Sequence, residues 1–354
     1  MTQYDNIENA IRKGVWFLYD HQYPNGEFCC YICPDDEMKM CVTHSNVFPT
    51  SLIANSIFDL RYIPEVNEIL DKAAAFLQYQ AMRGGTWNNF TILNPLFPIC
   101  PPDVDNTACA AIVLQKLGKD FEDNKTLILA NRNDEGLFYT WFTWRTRYNP
   151  IKTYWLLSLR ALKHPIDTCM FWRKTEATRY DIDAVVNANV LFYLGLNKNT
   201  APVLKYMLDI IEKGKESDCD LWYRNPFTIY YFFSRNYKAG CAELEPAAQT
   251  IKERILLTAK ADHSLGESIL DTALGIISLI NCGDNSTTLD KAVAHLVAHQ
   301  NRSGAWQRWG VYYGGPKKLQ TYGSEEMTTG FCLEALALYR FRLLEIAKKN
   351  NPSN

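Results

Sequence analysis

The chain has 354 residues, 47% hydrophobic and 13% aromatic, with a formal net charge of −2. That length accommodates one large domain or two ordinary ones, and the near-neutral charge gives no basic face of the kind a nucleic-acid partner requires. No stretch reaches the roughly eighteen consecutive apolar residues of a membrane span, and the opening "MTQYDNIENAIRKGVWFLYD" lacks the order of a secretory leader.

Two kinds of helix alternate along the chain. An amphipathic helix is expected over 8–22, ending at Gln22, with a turn at Gly26 and an aromatic, Phe28. From Val47, "VFPTSLIANSIFDL" is apolar around most of its circumference, the pattern of a buried helix. An amphipathic helix over 66–80 follows, closed by Gln80, Gly85 and Trp87, then a buried one from Val104, "VDNTACAAIVLQKLG". A third amphipathic helix over 122–131 ends at Gly136 and Phe138. The insert 132–180 carries "WFTWRTRY" and "YWLLSLRALK" and is expected to add a helix. A buried helix from Ile182, "IDAVVNANVLFYLG", leads to an amphipathic one over 201–213 and a buried one from Pro226, "PFTIYYFFSR". The series continues with an amphipathic helix over 245–259 and a buried one from Ile269, "ILDTALGIISLI". It ends with an amphipathic helix over 287–300 and a buried one from Glu326, "EMTTGFCLEALALYRF".

The amphipathic units repeat. "KGVWFLYDHQYPNGEF" from Lys13 aligns without a gap with "KAVAHLVAHQNRSGAW" from Lys291, and "KAAAFLQYQAMRGGTW" is a looser copy. Each ends a helix at a glutamine and turns at a glycine, a normal stop signal. The closing aromatic is large enough to pack on the neighbouring unit. With no strand pattern and no linker, the expected fold class is all-α: an (α/α)6 barrel of six inner and six outer helices, with 1–354 as a single domain. The eleven cysteines fall mostly in apolar helical runs, as at Cys109, Cys169 and Cys332. They read as reduced packing residues of a cytoplasmic chain. Cys29, Cys30, Cys33 and Cys41 cluster, but no second Cys-x-x-Cys or histidine cluster pairs with them to complete a site, so no metal is expected.

In such a barrel the inner helices start around one mouth. Asp103 and Asp105 begin the second, and Asp181 and Asp183 begin the third. His44 and Asn46 precede the first, Glu267 and Asp271 start the fifth, and Glu325 and Glu326 start the sixth. Acids cap helices well, and capping accounts for Asp271, Glu325 and Glu326. A doubled Asp-x-Asp on two neighbouring helices exceeds what a cap needs, so those four are candidate catalytic acids. Phe48, Trp141, Trp144, Phe192, Tyr230, Tyr231 and Phe331 are candidate substrate-binding rings, with His44 beside them.

These residues carry a resemblance. The Gln…Gly-x-Trp repeats resemble those of the terpene cyclase and prenyltransferase superfamily, and "DVDNTA" resembles the Asp-x-Asp-Asp-Thr-Ala motif of class II terpene cyclases, the squalene–hopene cyclases among them. The resemblance implies protonation-initiated cyclisation of a linear isoprenoid. Asp105 would be the proton donor and Asp103 its support, with Thr107 and Ala108 completing the motif. The match departs at Asn106, where the family usually has a third aspartate, and in size, because the large cyclases have two barrels. The chemistry also follows from the residues. A carboxyl crowded by another and walled from water keeps its proton, and the carbocation formed next needs π-faces rather than nucleophiles.

Three rival readings stay open. The last repeat, "GGPKKLQTYGSEEMTTGFCLEAL", is similar to that of protein prenyltransferase β-subunits, but Met327 or Thr328 falls where their zinc-binding histidine would, and no Asp-x-Cys precedes it. Two carboxylates such as Asp105 and Asp183 could instead flank a glycosidic bond. A non-catalytic barrel that holds an isoprenoid is the third. No cofactor is expected, and Mg2+ would enter only with a diphosphate substrate, for which Arg145, Arg147, Lys152, Arg224, Lys317 and Lys318 are the candidate cations. Peripheral membrane contact is allowed, and the oligomeric state is open.

Overall fold

The computed structural model describes residues 2–146 and 149–350. Helix α1 (Gln3–His21) opens with a capping box, in which the Thr2 and Asp5 side chains each accept from the other's backbone N–H. Helices α2 (Phe48–Ser56), α3 (Pro64–Gln80), α4 (Val104–Lys116), α5 (Lys125–Ala130), α6 (Lys152–Ser158) and α7 (Pro165–Thr175) follow. Then come α8 (Ala184–Leu194), α9 (Ala201–Glu212), α10 (Pro226–Lys238), α11 (Glu245–Leu257), α12 (Ile269–Asn281), α13 (Thr287–Ala298) and α14 (Glu325–Asn350). Proline in the first turn opens α3, α7, α9, α10 and α11, where its missing N–H leaves no bond unmade.

The six buried helices close on themselves. α2 packs on α4, α4 on α8, α8 on α10, α10 on α12, α12 on α14, and α14 returns to α2. The amphipathic helices pack on this ring: α1 on α14, α3 on α2, α9 on α8, α11 on α10 and α12, and α13 on α12 and α14. One apolar core runs through both sets, and a smaller cluster of Phe90, Cys100, Trp141 and Ala177 lies against Phe171 and Trp172 of α7.

The repeats are the fasteners between the two sets. Gln22 Nε2 donates to the Gly26 carbonyl at 3.0 Å and to Ile69 O of α3 at 3.1 Å. Gln300 Nε2 bonds Gly304 O at 2.8 Å and Ala10 O of α1 at 2.9 Å. Gly26 and Gly304 hold φ of +89° and +93°, and a Cβ there would lie 2.1 Å from Lys72 O or 2.2 Å from Lys13 O. Only glycine fits so close a backbone approach. The Trp87 and Trp306 indoles donate to Leu77 O at 2.8 Å and Leu296 O at 2.7 Å. The backbone N–H of Phe28, Trp87, Leu265 and Trp306 each donates to a threonine hydroxyl on a ring helix, Thr50, Thr107, Thr272 and Thr329 in turn. Phe138 N–H uses Asn187 Oδ1 in the same way at 2.8 Å. Thr107, the threonine of "DVDNTA", is therefore a fastener.

The chain is mostly helical, as expected, and carries in addition a small antiparallel sheet. Its strands are β1 (Cys30–Cys33), β2 (Val42–His44), β3 (Tyr312–Gly314) and β4 (Gln320–Gly323), in the order β2-β1-β4-β3. Ile32 pairs with Tyr322, so the two ends of the chain meet in it. Strands of three or four residues carry too few alternations to read as a period-two pattern. The insert adds two helices, α6 and α7. Cys169, expected to be a packing residue, is exposed on α7.

Two substitutions test the fasteners. Gly304→Ala is expected to cost more than about 1 kcal/mol of stability, because it forces a side chain into a left-handed, crowded position. Thr107→Val leaves the buried Trp87 N–H without an acceptor and is expected to cost about 1–3 kcal/mol. Urea unfolding checks both, and wild-type midpoints would contradict the fastener account.

Candidate active site

A cavity of about 390 Å³ opens where the starts of α2, α4 and α8 meet the sheet and α7. Asp103, Asp105 and Asn106 line it, with Phe48 and Trp141. Phe90, Phe171, Trp222, Tyr223, Tyr312 and Tyr322 complete an aromatic wall. Five residues singled out from the sequence thus share one hollow.

The two acids are held differently. Asp103 is the N-cap of α4, and its Oδ1 accepts from Asn106 N–H at 2.7 Å. The Asn106 amide also donates to both carboxyl oxygens at 3.0 Å. Burial pushes Asp103 up to about 8 against those bonds, and the neighbouring Asp105 adds to the rise. Asp105 is 7% exposed. Its Oδ1 accepts from Asn189 Nδ2 at 2.5 Å, and its Oδ2 accepts from the Tyr223 hydroxyl at 2.7 Å. Burial raises its proton affinity, while Tyr223, Asn189 and the charge of Arg235 oppose the rise. The arrangement suits an acid that stays loaded in a dry site and leaves a stabilised anion when it discharges.

The second Asp-x-Asp does not join the first, which corrects the expectation of one common cavity. Asp183 is buried, but it accepts from the Thr140 hydroxyl at 2.5 Å and Leu221 N–H at 2.9 Å and fastens loops. Asp181 accepts from Thr178 N–H and Oγ1 in a turn. The fastener register shows that Asp105 has no acidic counterpart on α8. Thr107 Oγ1 donates to the Asp103 carbonyl, and the Asn187 amide donates to the Asp183 carbonyl four residues back. Asp183 therefore matches Asp103, and the place of Asp105 falls to Val185.

Several predicted rings lie elsewhere. Trp144 is 43% exposed beneath Arg179, its ring 5.0 Å from the guanidinium. Phe192 packs under Arg235 and Lys116. Tyr230 points its hydroxyl at Glu216. Tyr231 packs edge-on to Phe331 at 5.2 Å and donates to Glu334. Side chains a turn or more into a ring helix lie deeper than the mouth. His44 sits at the cavity edge against Phe90 and Tyr322 and bonds Asn46, whose amide donates to the Tyr312 hydroxyl at 2.9 Å.

The candidate cations scatter as well. Arg145 is buried on Asn131, Tyr154 and backbone carbonyls. It lines a second, polar hollow of about 540 Å³ that holds none of the four aspartates. Arg147 lies outside the described residues. Lys152 and Lys317 are exposed. Arg224 sits over Tyr313 at 5.1 Å, and Lys318 is buried over Trp222 at 5.2 Å. The cavity wall instead includes Lys174 of α7. Among the described residues, no group of three His, Cys, Asp or Glu side chains could hold a metal ion. No helix among them is long and apolar enough to cross a membrane.

Sequence reading missed Tyr223, Asn189 and Arg235. Signals existed. "LWYRNPF" immediately precedes a ring helix at the same mouth, and a charge inside the apolar run "YYFFSRN" demands a buried partner.

No family model matches the chain, and no curated protein matches it by sequence. Its fold does have solved counterparts. A protein from Actinoplanes superposes with a TM-score of 0.71 at 17% identity, over 94% of this chain and 99% of that one. The type II terpene cyclase MstE from Scytonema gives 0.69 at 16% identity, over 94% and 98%. It has also been solved in complex with its substrate, geranylgeranyl dihydroxybenzoate. An unsaturated glucuronyl hydrolase specific for heparin gives 0.52 at 10% identity, over 97% and 98%. The chain thus shares its fold with these structures, a type II terpene cyclase among them, and at these identities the likeness is one of fold.

The raised proton affinity of Asp103 has a thermodynamic consequence. The folded chain holds that proton more tightly than the unfolded chain does. Folding is therefore penalised increasingly as pH rises from about 4 to about 8. Asp103→Asn keeps an N-cap acceptor and is expected to flatten part of the fall in stability over that range. Urea unfolding at several pH values measures it, and an unchanged slope contradicts the burial account.

Proposed function

We propose that the chain is a class II terpene cyclase, an enzyme that protonates a linear isoprenoid and lets the carbocation cyclise. In this reading the ring and its amphipathic partners form an (α/α)6 barrel in one domain, and Asp105 is the proton donor with Asp103 in support. The observation that carries the reading is the Asp105 carboxyl, buried at the wall of an aromatic cavity with two hydrogen-bond donors behind it. The fold shared with MstE, a structure of which holds the substrate geranylgeranyl dihydroxybenzoate, supports it.

The step follows from the geometry. The Asp105 O–H breaks as a C–H bond forms at one alkene carbon, leaving positive charge on the other. Tyr223 and Asn189 hold the new carboxylate. The faces of Phe48, Trp141, Trp222 and Tyr312 offer π-density to the cation and no strong nucleophile. The cyclised cation closes by losing a proton from a neighbouring carbon to solvent, which makes the product an isomer of the substrate, and Asp105 takes a proton back from solvent once the product has left.

The glycan reading requires a second carboxylate across the substrate; Asp183 is absent from the cavity wall, and the remaining acid there, Asp167 of α7, stands in a largely aromatic lining. A non-catalytic isoprenoid-binding barrel is the alternative that Asn106 keeps in play, since it supplies no third acid. The eleven cysteines, all unpaired, support a reducing, cytoplasmic setting. Leu93, Leu162 and Ile166, exposed on segments next to the cavity wall, support peripheral contact with a membrane that stores the substrate.

Incubation with farnesyl, geranylgeranyl and squalene-type substrates, read by mass spectrometry, tests the proposal. A cyclic isomer of unchanged mass is expected. Asp105→Asn is expected to lower turnover by roughly 10³-fold or more with an unaltered melting profile. Full activity in Asp105→Asn would remove Asp105 as donor, and isoprenoid binding without turnover in the wild type would favour the binding barrel.

A further inference from the structure

We propose that Arg235 is a positioning residue for the Asp105 carboxyl: caged by aromatic rings and joined to Asp105 through Asn189, it sets how readily that carboxyl releases its proton. The inference rests on the proton-donor reading above.

Arg235 lies on α10 and is 6% exposed. Its guanidinium sits over Phe192, Phe232 and Tyr231 at 4.6, 4.8 and 4.9 Å from the ring centroids. Nη2 donates to Asn189 Oδ1 at 2.6 Å, and Asn189 Nδ2 donates to Asp105 Oδ1 at 2.5 Å. On its other side, Nη1 donates to the Tyr231 hydroxyl at 3.4 Å, which donates to Glu334 Oε2 at 3.0 Å. One line of polar groups thus runs from α4 through α8 and α10 to α14, across the inside of the ring. A buried cation is costly unless it is paired. Leucine or methionine would fill the same space without that cost, so the charge needs a reason.

The direction of the bonds supplies it. Arginine only donates and keeps its proton, so Asn189 must turn its carbonyl to Arg235 and its NH2 to Asp105. Asp105 Oδ1 is thereby fixed as an acceptor, and the proton belongs on Oδ2, beside Tyr223. The line cannot relay a proton, because neither the amide nor the guanidinium gives one up. It carries orientation and positive charge, which stabilise the carboxylate left by proton transfer.

The other groups around Asp105 do not duplicate this role. Asp103 caps its helix and Cys109 lies on it, and burial raises the proton affinity of both. The loop before α10 brings Tyr223 and Asp220, whose proton affinities are both raised by burial. Tyr312 of β3 shares the wall with its proton affinity raised, and α2 carries no titratable side chain. Glu334 and Lys116 lie beyond Arg235. Arg235 is the cation whose field reaches Asp105.

The test reads Asp105 directly. The full chain is labelled with 13C at aspartate carboxyls and titrated by NMR, the Asp105 signal being assigned by its loss in Asp105→Asn. Arg235→Gln is combined with Glu334→Gln so that neither member of the buried pair is left alone. In this double variant the midpoint is expected to rise by about one pH unit, a tenfold tighter hold on the proton. Arg235→Lys, which keeps the charge, is expected to recover most of the shift. A folded double variant with the wild-type midpoint overturns the proposal. Asn189→Leu keeps the Arg235–Glu334 pair and is expected to raise the midpoint too; no change there overturns the role of Asn189 as the link. Cyclisation is a separate readout. If Asp105→Asn retains turnover while the midpoint still moves with Arg235, the donor reading fails and the coupling stands. If Asp105 is the donor, turnover in the double variant falls by up to about tenfold.

Discussion

A carboxyl group must be kept dry and protonated, yet its anion must be welcome once the proton has gone. In the proposed cyclase that constraint falls on Asp105. The positive end of α4 favours the anion, and so do Tyr223, Asn189 and Arg235. Burial favours the neutral acid and is the largest influence on both aspartates. To keep burial dominant, the fold surrounds the start of α4 with the sheet, with α7 and with an aromatic wall. Loss of any of these would admit water and ionise the pair.

The repeat pattern serves the same end from the outside. Gln22 and Gln300, with Gly26 and Gly304, pin their turns against the next amphipathic helix, and a threonine or asparagine ties each turn to a ring helix. The register of the ring is therefore set at the mouth. That is why Asp105, two residues after the N-cap Asp103, has no acidic counterpart on α8, where Asp183 matches Asp103 and Val185 matches Asp105.

Much of this was legible in the sequence. Long helices with consistent periodicity declared themselves, and their order implied a ring. "DVDNTA" located the acids because it stands at a helix start. The sheet was not legible, because its strands are shorter than any pattern and pair across opposite ends of the chain. Tyr231 and Phe331 were misplaced because an all-apolar helix does not reveal which turn reaches the mouth. Aligning "DVDNTA" with "DIDAVVNAN" on Thr107 and Asn187, rather than on the aspartates, would have separated the two pairs. The fold by itself cannot name the chemistry either, since a glycan hydrolase shares it. The aromatic wall around Asp103 and Asp105 favours the cyclase.

The central claim is that solvent-exchangeable hydrogen passes from Asp105 to an alkene carbon. Turnover in D2O with a linear isoprenoid, followed by mass spectrometry of the product, tests it most directly. The account predicts a cyclised product that gains one deuterium at the former alkene terminus, formed by the wild-type chain and lost in Asp105→Asn. A cyclised product without deuterium, or one formed equally well by Asp105→Asn, would contradict it.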